Sequence, residues 1–119
     1  MLFPAHQLGS DGEDAALQYL LERGYALVHR NYRYRRAEVD LIVRKGAYLL
    51  VFVEVKTRSS AQYGYPEEFV TERKRQLLRI ASEQVQEELQ WRGDIRFDII
   101  ALTPAATGLR VEHFEDAFF

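Results

Sequence analysis

The sequence predicts an α/β fold: a mixed β-sheet covered by helices. Three observations carry that expectation. Helix-like and strand-like hydrophobic periods follow one another along the chain. The stretch "KGA" (45–47) joins two strand-like runs as a hairpin turn. The next strand-like run lies beyond a long helical segment, and such a crossover places it parallel to the strand before it.

Each element has its own signals. "GEDAALQYLLERG" (12–24) reads as a helix. Ser10 or Asp11 can cap it, Glu13 and Asp14 suit its positive end, and Gly24 can stop it. Ala16, Leu17 and Leu20 form its apolar stripe. "YALVHRNYRYR" (25–35) reads as a strand, and "AEVDLIVR" (37–44) as a second. Strict alternation in the second puts Val39, Leu41 and Val43 on one face, and Glu38, Asp40 and Ile42 on the other. "YLLVFVEVKTR" (48–58) is the third. "SSAQYGYP" (59–66) is a loop. The segment 67–93 contains a long helix starting near Thr71, with Leu78, Ala81, Val85 and Leu89 as its stripe. "DIRFDIIALTP" (94–104) is the strand expected parallel to 48–58, and "GLRVEHFEDAFF" supplies a short last strand and a terminal turn.

The chain has 119 residues, which predicts a single domain over 1–119. It is 47% hydrophobic and 29% charged, with no cysteine. Disulfide frameworks and thiolate chemistry are therefore excluded. No apolar run approaches the ~18 residues of a membrane span. "MLFPAHQLGSDGED" lacks the basic and long apolar regions of a signal peptide, so a cytoplasmic location without membrane contact is expected. The net charge of −2 argues against non-specific packaging of nucleic acid. Yet "HRNYRYRR" (29–36) concentrates four arginines, Arg30, Arg33, Arg35 and Arg36. That segment can contact phosphate locally.

Chemistry gathers on one strand face. Glu54 and Lys56 are two apart, so they share a face with Leu50 and Phe52. A three-residue turn at 45–47 would pair Arg44 with Tyr48 and Glu38 with Glu54. Two residues of slippage would instead set Asp40 opposite Glu54. Either register makes Asp40 and Glu54 direct or diagonal neighbours, with Lys56 beside them. Two carboxylates ~4 Å apart repel by about 4 kcal/mol at an effective dielectric of ~20. Protonation, a basic partner or a divalent cation relieves that. Carboxylates and a backbone carbonyl are hard oxygen donors that suit Mg²⁺ or Mn²⁺. Both helices also turn one charge toward the sheet: Glu13 joins Ala16, Leu17 and Leu20, and Lys74 joins Leu78, Ala81 and Val85. Structural ion pairing is the competing explanation for these charges. Arg96 and Asp98 read as structural partners, Glu38 as a site-edge residue or arginine partner, and Phe114, Phe118 and Phe119 as core or a docking surface. His6, His29 and His113 show no ligand spacing.

The series Glu13, Asp40, Glu54-x-Lys56 resembles the PD-(D/E)xK nuclease superfamily. "GEDAALQYLLERGY", "RNYRYRRAEVDLI", "LVFVEVKTR", the "RK" at 73–74, "RFDIIAL" and "HFEDAF" resemble, over nearly the whole chain, the uncharacterised bacterial YraN family of predicted endonucleases. That family is similar to archaeal Holliday junction resolvases. The resemblance implies a restriction-endonuclease-like core: a helix, three antiparallel strands, a helix and a parallel fourth strand. It implies that Asp40, Glu54 and the Val55 carbonyl bind Mg²⁺ or Mn²⁺, that Glu13 lies in or next to the ligand shell, and that Lys56 is the catalytic lysine. Val39 stands where the superfamily often has proline, and Ala37 where related sequences often have glycine. The implied activity is cleavage of DNA, branched DNA included, by a homodimer, with Lys74 and the arginines of 29–36 on phosphate. A nucleic-acid-binding or assembly module that keeps the fold without cutting is the second expectation.

Overall fold

A computed structural model describes residues 2–3, 10–58 and 70–118. The expected loop 59–66, the residues 67–69 ahead of the long helix, His6 and Phe119 lie outside the described residues.

The elements run β1 (Leu2–Phe3), α1 (Ser10–Glu22), β2 (Ala26–Tyr34), β3 (Ala37–Lys45), β4 (Leu49–Thr57), α2 (Glu72–Leu89), β5 (Asp94–Ala105) and β6 (Gly108–Phe114). One six-stranded sheet has the order β1-β6-β5-β4-β3-β2. The β4–β5 pair is parallel, with Glu54 opposite Ile99, and the other neighbours are antiparallel. The mixed α/β architecture expected from the sequence is therefore the observed one. The strand β1, two residues against β6, is an addition that the periodicity did not show.

Burial explains both helices. On one side, Ala15, Ala16 and Leu20 of α1 pack on Leu41, Val43, Val51, Val53, Ile100 and Leu102. On the other, Leu78, Ala81 and Val85 of α2 pack on Ile42, Leu50, Phe52 and Ile99. Each fully buried Leu or Ile of this kind contributes about 1.5–3 kcal/mol. Phe97 stacks on Phe52 with centroids 5.3 Å apart and meets Phe118 at 5.5 Å, so Phe118 is core, and Phe114 packs against it partly buried. Leu89 departs from the expected stripe and is 38% exposed. It is the last residue of α2, and Gln90 turns left-handed (φ 51°) immediately after it, so the helix ends where that side chain would otherwise reach the sheet.

Two departures bear on the site. The β3–β4 register runs from Lys45↔Leu49 to Leu41↔Val53, so Arg44 pairs with Leu50 and not with Tyr48. A tight turn closed by Tyr48 N–H on the Lys45 carbonyl (3.3 Å), with Gly46 at φ 51°, makes that slippage. Continued by one step, this register sets Asp40 opposite Glu54. The second departure is in β3, where alternation breaks. Val39 packs on the α2 side with Ala37 and Ile42, whereas Leu41 and Val43 pack on the α1 side. The expected common face of Val39, Leu41 and Val43 is thus wrong. The chain reorients between Val39 and Leu41, and Asp40 lies at that point.

Candidate metal centre

Where the β3–β4 ladder ends, a side chain takes over from the backbone. The Val55 N–H donates to Asp40 Oδ2 at 2.8 Å. In an extended strand the N–H and C=O of one residue point to the same edge. The Val55 carbonyl is therefore turned toward the β3 edge as well, the edge that carries Asp40. Glu54 is only 4% exposed. Its Oε1 accepts a hydrogen bond from Lys74 Nζ, and Lys56 Nζ is 3.6 Å from the same oxygen. Thr71 caps α2 by accepting from the Lys74 N–H at 3.2 Å, which fixes the turn that delivers Lys74.

Glu13 arrives from the opposite side of the sheet. Gly12 sets this approach: a Cβ there would lie 2.6 Å from Thr57 Cγ2, so glycine lets the first turn of α1 rest on the end of β4. Glu13 is partly exposed, and Arg30 Nε holds its carboxylate at 3.2 Å. Its negative charge still acts on Asp40. Burial first, and then the charge of Glu54, push the Asp40 carboxyl up to about 6; Glu13 adds to this, while the Val55 N–H and Lys74 oppose it. The carboxyls of Asp40 and Glu54 thus press on one another in a half-dry site.

Among the described residues no group of three His, Asp or Glu side chains could hold a metal ion. Mg²⁺, however, keeps several waters and binds through one or two carboxylates together with substrate phosphate. Asp40, Glu54 and one strand carbonyl are donors of suitable number and hardness for that mode. A positive charge placed beside Asp40 would oppose the effect of burial and of Glu54 on its carboxyl.

The arginine run divides by contact. Arg30 is bound to α1, through Glu13 and through Asp14 at 2.5 Å. Arg33 is 3.7 Å from Glu38 and well exposed. Arg35 takes a left-handed φ of 56° and lies over the Tyr34 ring at 5.2 Å. Arg36 reaches the site itself. It lines a cleft of about 300 Å³ with Glu38, Asp40, Arg73, Lys74 and Leu78. Arg73, within the "RK" pair, is the residue of this wall that face geometry alone did not single out.

A second charged cluster lies on the α1 face of the sheet, with Asp98 opposite Val53. Asp98 is fully buried and takes Arg96 in a two-pronged pair, both contacts at 2.8 Å. His113 Nε2 lies 2.7 Å from Asp98 Oδ2, and the Asp116 N–H donates to Oδ1 at 3.0 Å. Burial raises the Asp98 carboxyl, but the hydrogen bonds from His113, Arg96 and Asp116 outweigh it and hold it below its ordinary value. Arg96 also donates to Tyr25 Oη at 2.7 Å, and Tyr19 Oη is 3.3 Å from His113 Nδ1. The expected Arg96–Asp98 partnership is present, and His113 belongs to it.

The family model and the sequence relatives agree on one family. A family model described as "Uncharacterised protein family UPF0102" matches residues 12–102. A UPF0102 protein of Christiangramia forsetii is 41% identical over 114 residues, covering 96% of this chain and 95% of the relative. A UPF0102 protein of Rhodococcus opacus is 43% identical over 113 residues, covering 93% and 95%. Among solved structures, Pyrococcus furiosus SfsA in complex with Ca²⁺ is similar at a TM-score of 0.41 and 14% identity, covering 96% of this chain and 68% of that one. No described helix is long and apolar enough to cross a membrane.

Proposed function

The chain belongs to the uncharacterised protein family UPF0102, and from that premise and the geometry of the site we propose that it is a Mg²⁺- or Mn²⁺-dependent endonuclease hydrolysing DNA phosphodiester bonds, branched DNA included. One observation carries the reading. The Asp40 carboxylate sits on the Val55 N–H beside the buried Glu54, and two lysines converge on Glu54. Paired acids with adjacent ammonium groups at a strand end suit phosphoryl chemistry: the acids hold a cation and the ammonium groups meet developing negative charge. The resemblance to PD-(D/E)xK nucleases supports the same roles.

On this reading Asp40, Glu54 and the Val55 carbonyl hold the ion, which would polarise the scissile phosphate as a Lewis acid. Lys56, fixed next to Glu54 on β4, positions the attacking water and stabilises charge on the phosphate. Arg36 and Arg73 bind phosphate from the cleft, and Lys74 lies within reach of it. Glu13, tethered by Arg30, stands behind the site and orients it. DNA is the partner, a homodimer the unit for two symmetric cuts, and the cytoplasm the compartment. The test is direct. Purified protein with Mn²⁺ should nick supercoiled plasmid or a four-way junction, and Lys56→Ala should abolish the product. Equal cleavage by wild type and variant sinks the assignment.

A second reading rests on the ion balance. Glu54 already has two ammonium partners, so the cluster is neutralised without a metal. A nucleic-acid-binding module that does not cut accommodates that. Junction or single-stranded DNA binding that persists in EDTA, with no product over hours, selects this reading over the first.

A further inference from the structure

Asp40, Glu54, Lys56 and Lys74 contribute two negative and two positive charges where β3, β4 and α2 meet. A divalent cation added to this balanced set leaves two charges in excess unless an ammonium withdraws or an anion enters. The two lysines are not equivalent. Lys56 is two residues from Glu54 on one strand face, so it stays close whatever Glu54 binds. Lys74 comes from a different element, and its side chain is 35% exposed, so it has a route to water.

Its position on α2 is also unfavourable to a cation. Arg73, Lys74 and Arg75 follow Glu72 at the start of the helix, the end whose dipole repels positive charge and favours anions. What answers Lys74 there is the Glu54 carboxylate. The neighbouring Arg73 opens onto the cleft that Arg36 also lines. An anion drawn into that cleft meets the same turn of α2 from which Lys74 projects.

We infer that Lys74 is the resident counter-ion of Glu54, displaced when a divalent cation binds, and that the freed ammonium then turns to the substrate phosphate. This rests on the proposed metal-dependent reaction and gives it an order: Lys74 must leave the carboxylate before the site is complete. The lysine therefore opposes the first step and assists the second. Removing it should separate the two.

Calorimetric titration of the full chain with Mn²⁺ tests this, using wild type, Lys74→Met and Lys74→Arg. Lys74→Met should bind Mn²⁺ at least about tenfold more tightly than wild type, as loss of a competing charge requires. It should also nick DNA more slowly. Lys74→Arg, which keeps the charge, should bind close to wild type. If Lys74→Met binds no more tightly, or Lys74→Arg tightens as much as it does, the counter-ion role is overturned. The proposed reaction survives that result provided wild-type binding still requires Asp40. Absence of Mn²⁺ binding by wild type and Lys74→Met alike overturns both. Should Lys74→Met be unfolded without metal, refolding on addition of Mn²⁺ supports the role, and failure to refold overturns it.

Discussion

Replacing Asp40 by asparagine should stabilise this protein in the absence of metal. The carboxyl is raised from 3.8 to about 6 by burial and by the charge of Glu54. Between those values the folded state holds a proton that the unfolded state has released. Stability therefore falls as pH rises through this window, and the penalty is complete above it. At 1.36 kcal/mol per tenfold change in proton affinity, discounted for partial exposure, it amounts to about 2–3 kcal/mol at neutral pH. Asparagine stands in for the protonated side chain: it removes the penalty and can still accept the Val55 N–H, whose preference for the charged form is already contained in the value of about 6. The net gain for Asp40→Asn is about 2–3 kcal/mol, or roughly 8–12 °C in Tm for a chain of this size. Urea unfolding in EDTA at pH 7.5 and pH 4.5 measures it. The advantage should be full at pH 7.5 and shrink to about a third of that at pH 4.5, inside the window. A variant less stable than wild type at pH 7.5, or a difference independent of pH, refutes the view that the two carboxyls strain one another.

Two further outcomes are expected. Asp98→Ala takes the shared carboxylate from the partly buried Arg96 and His113 and should cost about 3 kcal/mol in urea unfolding; because Asp98 is held below its ordinary value, the wild-type stability it contributes should be present at neutral pH and fall away as pH drops through its folded-state pKa. Arg36→Ala combined with Arg73→Ala should weaken DNA binding across sequences and reduce the slope of log affinity against log salt by about 2, whereas Arg30→Ala, which removes a partner of Glu13 and Asp14, should change that slope less.

Much of this was legible in the sequence because β4 alternates without interruption. Leu50, Phe52 and Glu54 face α2 while Val51, Val53 and Val55 face α1, so the side on which Glu54 emerges followed from counting by two. The hairpin narrowed Asp40 to the direct or diagonal neighbour of Glu54, and turn geometry chose between them. The break in β3 was not legible. A strand that reorients at a polar residue leaves no mark in an alternating pattern, and Val39 was assigned to the wrong face for that reason. His113 lacked any local ligand spacing, since its partner Asp98 is diagonal to it across the β5–β6 pair, in a register known only once Ile100 is seen opposite His113. The available signal was a charged residue on the inward alternation of each strand. The arginine run looked uniform, yet its members differ because Arg30 meets the acids of α1 and Arg36 meets the cleft, and those contacts depend on elements distant in sequence.

The most direct measurement is a crystal of the full chain soaked with Mn²⁺, with anomalous scattering recorded for wild type and Asp40→Asn. A single peak at bonding distance from Asp40, Glu54 and the Val55 carbonyl, with Lys74 turned away from Glu54 and the peak lost in the variant, is the expected result. A wild-type crystal that leaves this position without a peak, Lys74 still bound to Glu54, contradicts the metal-dependent site.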